Sequence, residues 1–300
     1  MNAVECRDLI KAYGKLKAVN ELSFDLEENK ITGLIGRNGA GKTTLLKIIA
    51  GFLQKTAGEV KVFAENPFNN LTVSANTVFV DDNMAFPQSL RLGELLDEAA
   101  GFYGNWNMGL AKGALDYFSL NPRHYYHQLS KGMKSTFNVV VGLFARCSLT
   151  IFDEPTAGMD AGARKDFYRA LLKDYLRHPR TIILSSHLLN EIEDILEDIL
   201  LITEGKKLLH MPVPNLREYA LGLRGKSYIL EDMANSREII HISNVGDGYA
   251  YLVVKNDITE QERYKARLVG VDITAVTAAD LCVYLTSGKK GGIDDVFNKN

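Results

Sequence analysis

Two kinds of apolar pattern alternate along the chain. Residues 3–9, 21–26 and 58–63 are short strand-like stretches set between Gly, Asn and charged turns. Together they predict an antiparallel layer. Residues 30–35, 78–80, 149–152 and 181–184 are short, largely apolar runs instead, as buried strands of a parallel α/β sheet are, and 199–203 is a further apolar run. Helical spacing fills the gaps, at residues 44–51, 137–145 and 161–177, with 191–197 continuing as an acidic helix. Between residues 88 and 148 the texture changes. Leu92, Leu95, Leu96 and Ala99 recur at helical intervals with Tyr and Phe scattered among them, predicting a mostly helical subdomain. Glu204 and Gly205 then turn the 199–203 run toward Lys206 and Leu209 as a final hairpin.

Residues 211–215, with Pro212 and Pro214, read as a linker. Beyond them, residues 227–230, 238–243, 249–254 and 271–276 read as strands, and 258–268 and 278–286 as helices. The expectation is an α/β domain over 1–210 and a small α+β extension over 216–300. The extension carries no catalytic constellation, which leaves it a regulatory or interactive role.

Composition narrows the class. A net charge of −2, with both signs interspersed, argues against a broad nucleic-acid-binding surface. Cys6, Cys147 and Cys282 are isolated and lack C-x-x-C spacing, so neither a disulfide framework nor a zinc site is indicated, and a reducing setting fits. No run approaches the ~18 apolar residues needed to cross a bilayer. The first residues lack the apolar core of a secretion signal.

The chemistry concentrates at the ends of the continuous strands. Gly36, Arg37, Asn38, Gly39, Ala40, Gly41, Lys42, Thr43 and Thr44 fit G-x-x-x-x-G-K-[ST], between a buried strand and a helix. Glycines let successive N–H groups wrap inward on phosphate oxygens while the helix N-terminus adds its positive end. Lys42 would neutralise the β- and γ-phosphates, and the Thr43 hydroxyl would hold Mg²⁺. The strand at 149–152 runs into Asp153, Glu154 and Pro155. Strand ends in such sheets face the ligand crevice. Asp153 would support Mg²⁺ through its water shell, and Glu154 would orient or deprotonate the attacking water. A plain capped turn is the competing reading. His187, after Ser185 and Ser186, is either a structural histidine or a group at the catalytic edge. Asp81 and Asp82 either meet a metal or cap the next turn. Ser130 and Gly132 open a helix, as an anion site or an ordinary N-cap. Tyr13 either stacks on a base or fills surface.

Four separated motifs in this order resemble the ATP-binding subunits of ABC transporters, across residues 1 to about 210. The resemblance implies the ABC type of P-loop NTPase fold: a RecA-like core, an antiparallel β layer and a helical subdomain. Residues 36–44 look like its phosphate loop, 129–133 like its signature motif, 149–154 like its second nucleotide motif, 157–160 like its dimer-contact loop, and His187 like its switch histidine. Tyr13 falls where the family carries an adenine-stacking aromatic. The implied cofactors are ATP and Mg²⁺. The implied partners are a second ATPase subunit, the same or related, and a separately encoded transmembrane permease, with no nucleic acid. In such a pair Ser130 and Gly132 of one chain close on the γ-phosphate held by Lys42 of the other, peripheral to the cytoplasmic face of the membrane. Residues 131–134, 156–160 and 279–286 look most like the ATPases of bacterial ABC-2-type exporters.

Two departures stand out. Lys131 and Met133 replace a glycine and the glutamine of the usual signature, and Asp81 stands where the family places a metal-contacting glutamine. Competing readings are a soluble ABC-family ATPase of translation or DNA maintenance, and a nucleotide-responsive module with little turnover.

Overall fold

The computed structural model describes residues 1–234 and 237–287 and divides into two units, residues 1–210 and 211–300. In the first unit, β1 (Asn2–Tyr13) pairs antiparallel with β2 (Leu16–Glu27). β3 (Ile31–Ile35) follows, then α1 (Lys42–Ile49), and β4 (Ala57–Val62) returns to the free side of β1. The resulting order is β2-β1-β4, with Val4, Cys6, Leu22, Phe24, Val60 and Val62 buried. This is the predicted antiparallel layer.

α2 (Leu71–Ala75) and β5 (Thr77–Val80) precede the helical stretch, which consists of α3 (Leu92–Phe102), α4 (Met108–Tyr117) and α5 (Lys131–Ala145). The predicted stripe of Leu92, Leu95, Leu96 and Ala99 is buried on α3. β6 (Leu149–Asp153), α6 (Ala161–Arg177), β7 (Thr181–Ser186), α7 (Leu189–Ile192), β8 (Asp198–Thr203) and β9 (Lys206–Pro212) complete the unit. The sheet order is β5-β6-β7-β3-β8-β9, and β5, β6, β7, β3 and β8 run parallel. The carboxyl ends of β3, β5, β6 and β7 therefore share one edge.

Burial on both faces explains the continuous runs. One face packs on α1, whose Leu45, Leu46, Ile48 and Ile49 join Leu34, Phe79, Ile151 and Leu200 of the sheet and the β1 layer in one core. Each such side chain contributes about 1.5–3 kcal/mol relative to exposure. On α5 every residue from Ser135 to Ala145 is buried, and Phe152 of β6 meets Phe167 of α6 edge-on at 5.4 Å.

The second unit contains α8 (Val213–Arg217), β10 (Ala220–Lys226), α9 (Ser227–Ala234), β11 (Ile239–Gly246), β12 (Tyr249–Lys255), α10 (Glu260–Leu268), β13 (Asp272–Ala275) and α11 (Ala278–Thr286). Its strands pair antiparallel in the order β11-β12-β10-β13. The succession β-α-β-β-α-β in this order is the split βαβ arrangement. The expected extension runs to residue 300, and its tail from 288 onward lies outside the described residues.

Three local expectations are corrected. Residues 211–215 are not a linker, because β9 runs through Met211 and Pro212 and Pro214 sits in the first turn of α8, where its missing N–H costs nothing. Residues 227–230 are helical, not extended. The acidic stretch 191–197 is one turn of α7 followed by a 3₁₀ turn at Glu193–Ile195, since the chain must re-enter the sheet at Asp198.

Candidate nucleotide site

The loop after β3 is closed by the Ala40 N–H donating to Arg37 O at 3.1 Å, and Gly41 caps α1 with φ 101°. A Cβ on Gly41 would lie 2.2 Å from the Ala18 carbonyl oxygen, so only glycine fits. No side chain caps α1, which leaves its first amides to whatever enters the pocket. That pocket, about 410 Å³, is lined by Tyr13, Leu16 and Ala18, by Arg37, Asn38, Gly39, Ala40, Gly41, Lys42, Thr43 and Thr44, and by Glu154. Gly36 lies beneath, its carbonyl accepting from Lys42 Nζ at 2.6 Å. The ring of Tyr13 is half-exposed at the pocket, with Lys11 Nζ 5.2 Å from its centroid.

The edge of the sheet supplies the other charges. Lys42 is buried, and its ammonium lies 3.3 Å from Glu154 Oε1. This contact is electrostatic: Lys42 spends its short hydrogen bond on Gly36, and Glu154 Oε1 accepts none among the described residues. Glu154 Oε2 lies 2.7 Å from His187 Nδ1, which brings His187 to the same sheet edge as Glu154. Glu154 itself has φ 47°, a left-handed conformation that a residue with a Cβ seldom adopts. Asp153 is 5% exposed and accepts from Ser185 Oγ at 2.6 Å, while the same Oγ accepts the Glu154 N–H at 2.9 Å. Behind the turn, Tyr168 Oη and Thr156 Oγ1 are 3.1 Å apart, and burial pushes the Tyr168 phenol up to about 12.

Ser130 and Gly132 are not brought to this pocket. Ser130 caps α5, its Oγ accepting from the Met133 N–H at 3.3 Å, and with Gly132 it lines a separate cleft shared with Gly158, Met159 and Asp160. Gly132 is tightly seated, because a Cβ there would lie 2.5 Å from the Gly158 oxygen. Ser135 Oγ donates to Ala157 O at 2.7 Å, and Asp160 caps α6. The start of α5 and the loop at 157–160 are thus one surface.

Asp81 is likewise turned elsewhere. Its Oδ1 accepts the Asn83 N–H at 3.0 Å, which caps the turn, and Oδ2 faces Lys47 Nζ of α1 at 3.9 Å. Its carbonyl accepts from Asn138 Nδ2 of α5 at 3.0 Å. Asp82 Oδ1 accepts from the Asn83 side-chain Nδ2 at 2.9 Å. Ser185, Lys47 and Asn138 were invisible to motif reading. A serine closing an apolar strand just before His187 was the only signal for the first.

The chain is similar to known proteins along most of its length. The family described as ABC transporter matches residues 19–157. The chain is 28% identical over 240 residues to the bacitracin transport ATP-binding protein BcrA of Bacillus licheniformis, covering 79% of this chain and 77% of that protein. It is 25% identical to the ABC transporter ATP-binding protein YtrB of Bacillus subtilis (strain 168), covering 85% and 87%. With the lantibiotic transport ATP-binding protein SrtF of Streptococcus pyogenes it shares 29% identity, covering 69% and 89%. Among solved structures, the ATP-binding subunit of an ABC transporter superposes with a TM-score of 0.62 at 24% identity, covering 72% of this chain and 92% of that one. A dimeric ATP-binding cassette in a post-hydrolysis state with ADP and Pi gives 0.60 at 19% identity, covering 70% and 98%. These likenesses show the fold.

Proposed function

We propose that the chain is an ATP-binding, ATP-hydrolysing subunit of the ABC transporter family, whose own residues and partners work as follows. The observation that carries the reading is the line Lys42–Glu154–His187 at the edge of the sheet, with distances of 3.3 and 2.7 Å. The amides of residues 39–44 and the Lys42 ammonium bind the β- and γ-phosphates, and the free face of Tyr13 stacks on the base. Phosphate competes with Glu154 for the charge of Lys42. The Glu154 carboxylate, held by His187, is then released to orient and deprotonate water.

The donor set also fits Mg²⁺. Thr43 offers a hydroxyl, and Asp153 a buried carboxylate whose described hydrogen bond is the one from Ser185, leaving lone pairs for a hydrated cation. When bound, magnesium shields the charge on the phosphate oxygens.

The separate clefts of Lys42 and Ser130 support a composite site in a head-to-tail pair, where Ser130 and Gly132 of one subunit complete the phosphate site of the other. A mixing experiment tests this. Lys42→Ala and Ser130→Arg chains should each be inactive alone, yet regain part of the turnover when mixed, because one of the two sites in a mixed pair is intact. No recovery in demonstrably mixed dimers would refute the composite site.

Among the described residues no helix is long and apolar enough to cross a membrane. The crossing is assigned to a separate permease, with this subunit on the cytoplasmic face. Similarity to subunits named for bacitracin and lantibiotic transport supports a role in transport, and export is the direction we propose. Extraction from native membranes should co-purify a multi-span chain, and association with ribosomes or DNA instead would contradict the assignment.

A further inference from the structure

Ser185 is fully buried at the penultimate position of β7 and stands opposite Asp153 in the parallel register of β6 and β7. A hydroxyl has one proton and two lone pairs. Here the proton goes to Asp153 Oδ1 at 2.6 Å, and a lone pair receives the Glu154 N–H at 2.9 Å. Neither role can be exchanged, because an ionised carboxylate only accepts and an amide only donates. The second bond falls on the peptide where the chain enters the left-handed turn at Glu154. An apolar side chain would fill this buried strand position without making either bond.

We propose that Ser185 is a positioning residue for both acids: its hydroxyl fixes the orientation of the Asp153 carboxylate and pins the backbone turn that aims Glu154 at Lys42 and His187. The proposal rests on the roles given above to Asp153 as a cation-supporting group and Glu154 as a base. Groups one step behind a metal-supporting ligand tune it strongly, and their loss typically costs about 10–100-fold in metal affinity or activity.

The test uses the full chain with Ser185→Ala, and with Ser185→Cys, which keeps the volume but donates weakly and serves if the alanine variant does not fold. Affinity for a fluorescent ATP analogue is measured in EDTA and across a Mg²⁺ titration, alongside kcat. The expected result is metal-free affinity within about twofold of wild type, a Mg²⁺ midpoint raised about 10-fold or more, and kcat lowered about 10–100-fold. In an Asp153→Asn background, Ser185→Ala should shift the Mg²⁺ midpoint no further, since it acts through that carboxylate. A lowered melting temperature with an unchanged Mg²⁺ midpoint would show a purely structural serine and overturn the proposal. If Asp153→Asn shifts the midpoint and neither Ser185 variant does, the proposal alone falls. If Asp153→Asn leaves it unmoved, the role of Asp153 falls and the proposal with it.

Discussion

α5 ends at Ala145, and the chain leaves it through Arg146 at φ 47°. Arg146 donates from Nε at 3.1 Å and from a terminal nitrogen at 2.5 Å to Asp174 Oδ1 on α6, while Asp174 Oδ2 accepts from Arg180 at 2.9 Å. Arg180 also reaches Thr150 Oγ1 of β6 at 3.3 Å and Leu143 O of α5 at 3.1 Å. All three charged side chains are at most 10% exposed, so two guanidinium groups share one buried carboxylate. Burial pulls Arg180 below its ordinary value, and Asp174 opposes that pull. Asp174→Ala would leave two buried cations without their anion, a change that costs about 3–5 kcal/mol. Arg146 lies at a helix end and can turn outward, which favours the lower figure. For a unit of this size each kcal/mol moves the melting temperature by about 2–4 °C. The predicted fall is therefore about 6–12 °C, followed by circular dichroism on the full chain. Asp174→Asn retains one acceptor and should fall between wild type and alanine. Because Arg146 and Arg180 sit just before β6 and β7, the alanine variant should also lose ATPase activity at temperatures well below its melting point. A shift under about 2 °C would show instead that the two guanidinium groups are adequately solvated without their carboxylate.

Gly132→Ala places a Cβ 2.5 Å from Gly158 O and should abolish most turnover while leaving ATP-analogue affinity near wild type, because the Lys42 pocket lies elsewhere; full turnover would contradict the tight seat. Asp81→Gln removes the partner of Lys47, a side chain about one-third exposed, so stability should change by at most about 1 kcal/mol. The same change releases Lys47 of the phosphate-loop helix and should alter the basal ATPase rate or its Mg²⁺ dependence, and an unchanged profile in both would sink the idea. Burial lowers His210 below its ordinary 6.5, so the unfolded chain takes up a proton first as pH falls. Its contribution is intact above pH 6.5 and is lost on acidification toward the depressed folded value. His210→Gln should therefore flatten the fall in melting temperature between about pH 7.5 and 5.5, and an identical slope would rule out this histidine as a source.

What was legible in the sequence followed from strong local signals. Continuous runs such as residues 181–184 were read as buried strands because nothing in them wants water, and the glycines of residues 36–41 have few uses outside a phosphate loop. Weak signals failed where tertiary packing overrode propensity. β10 was missed because Gly222 and Gly225 lower its strand propensity. Gly222 nonetheless leaves room for the Tyr251 side chain of the neighbouring strand, whose hydroxyl a Cβ would meet at 2.4 Å. The aromatic and β-branched run at 227–230 suggested a strand, yet it forms α9, which buries Leu230 against the sheet. At the site, Lys42, Glu154 and His187 were nameable because each ends a readable strand or motif. Ser185 and Lys47 were not, because their roles come from register and from a facing helix. Asp81 was readable as a departure, but its pairing with Lys47 depends on where α1 lies against β5.

Glu154 is proposed to drive hydrolysis at a site that ATP closes between two subunits. Glu154→Gln removes the base and keeps the shape, so the direct measurement is turnover together with oligomeric state at saturating Mg-ATP. The expected result is ATP affinity close to wild type, turnover reduced at least about 100-fold, and a stable ATP-dependent dimer in size-exclusion chromatography. Wild-type turnover in this variant, or a monomer that binds ATP without pairing, would contradict it.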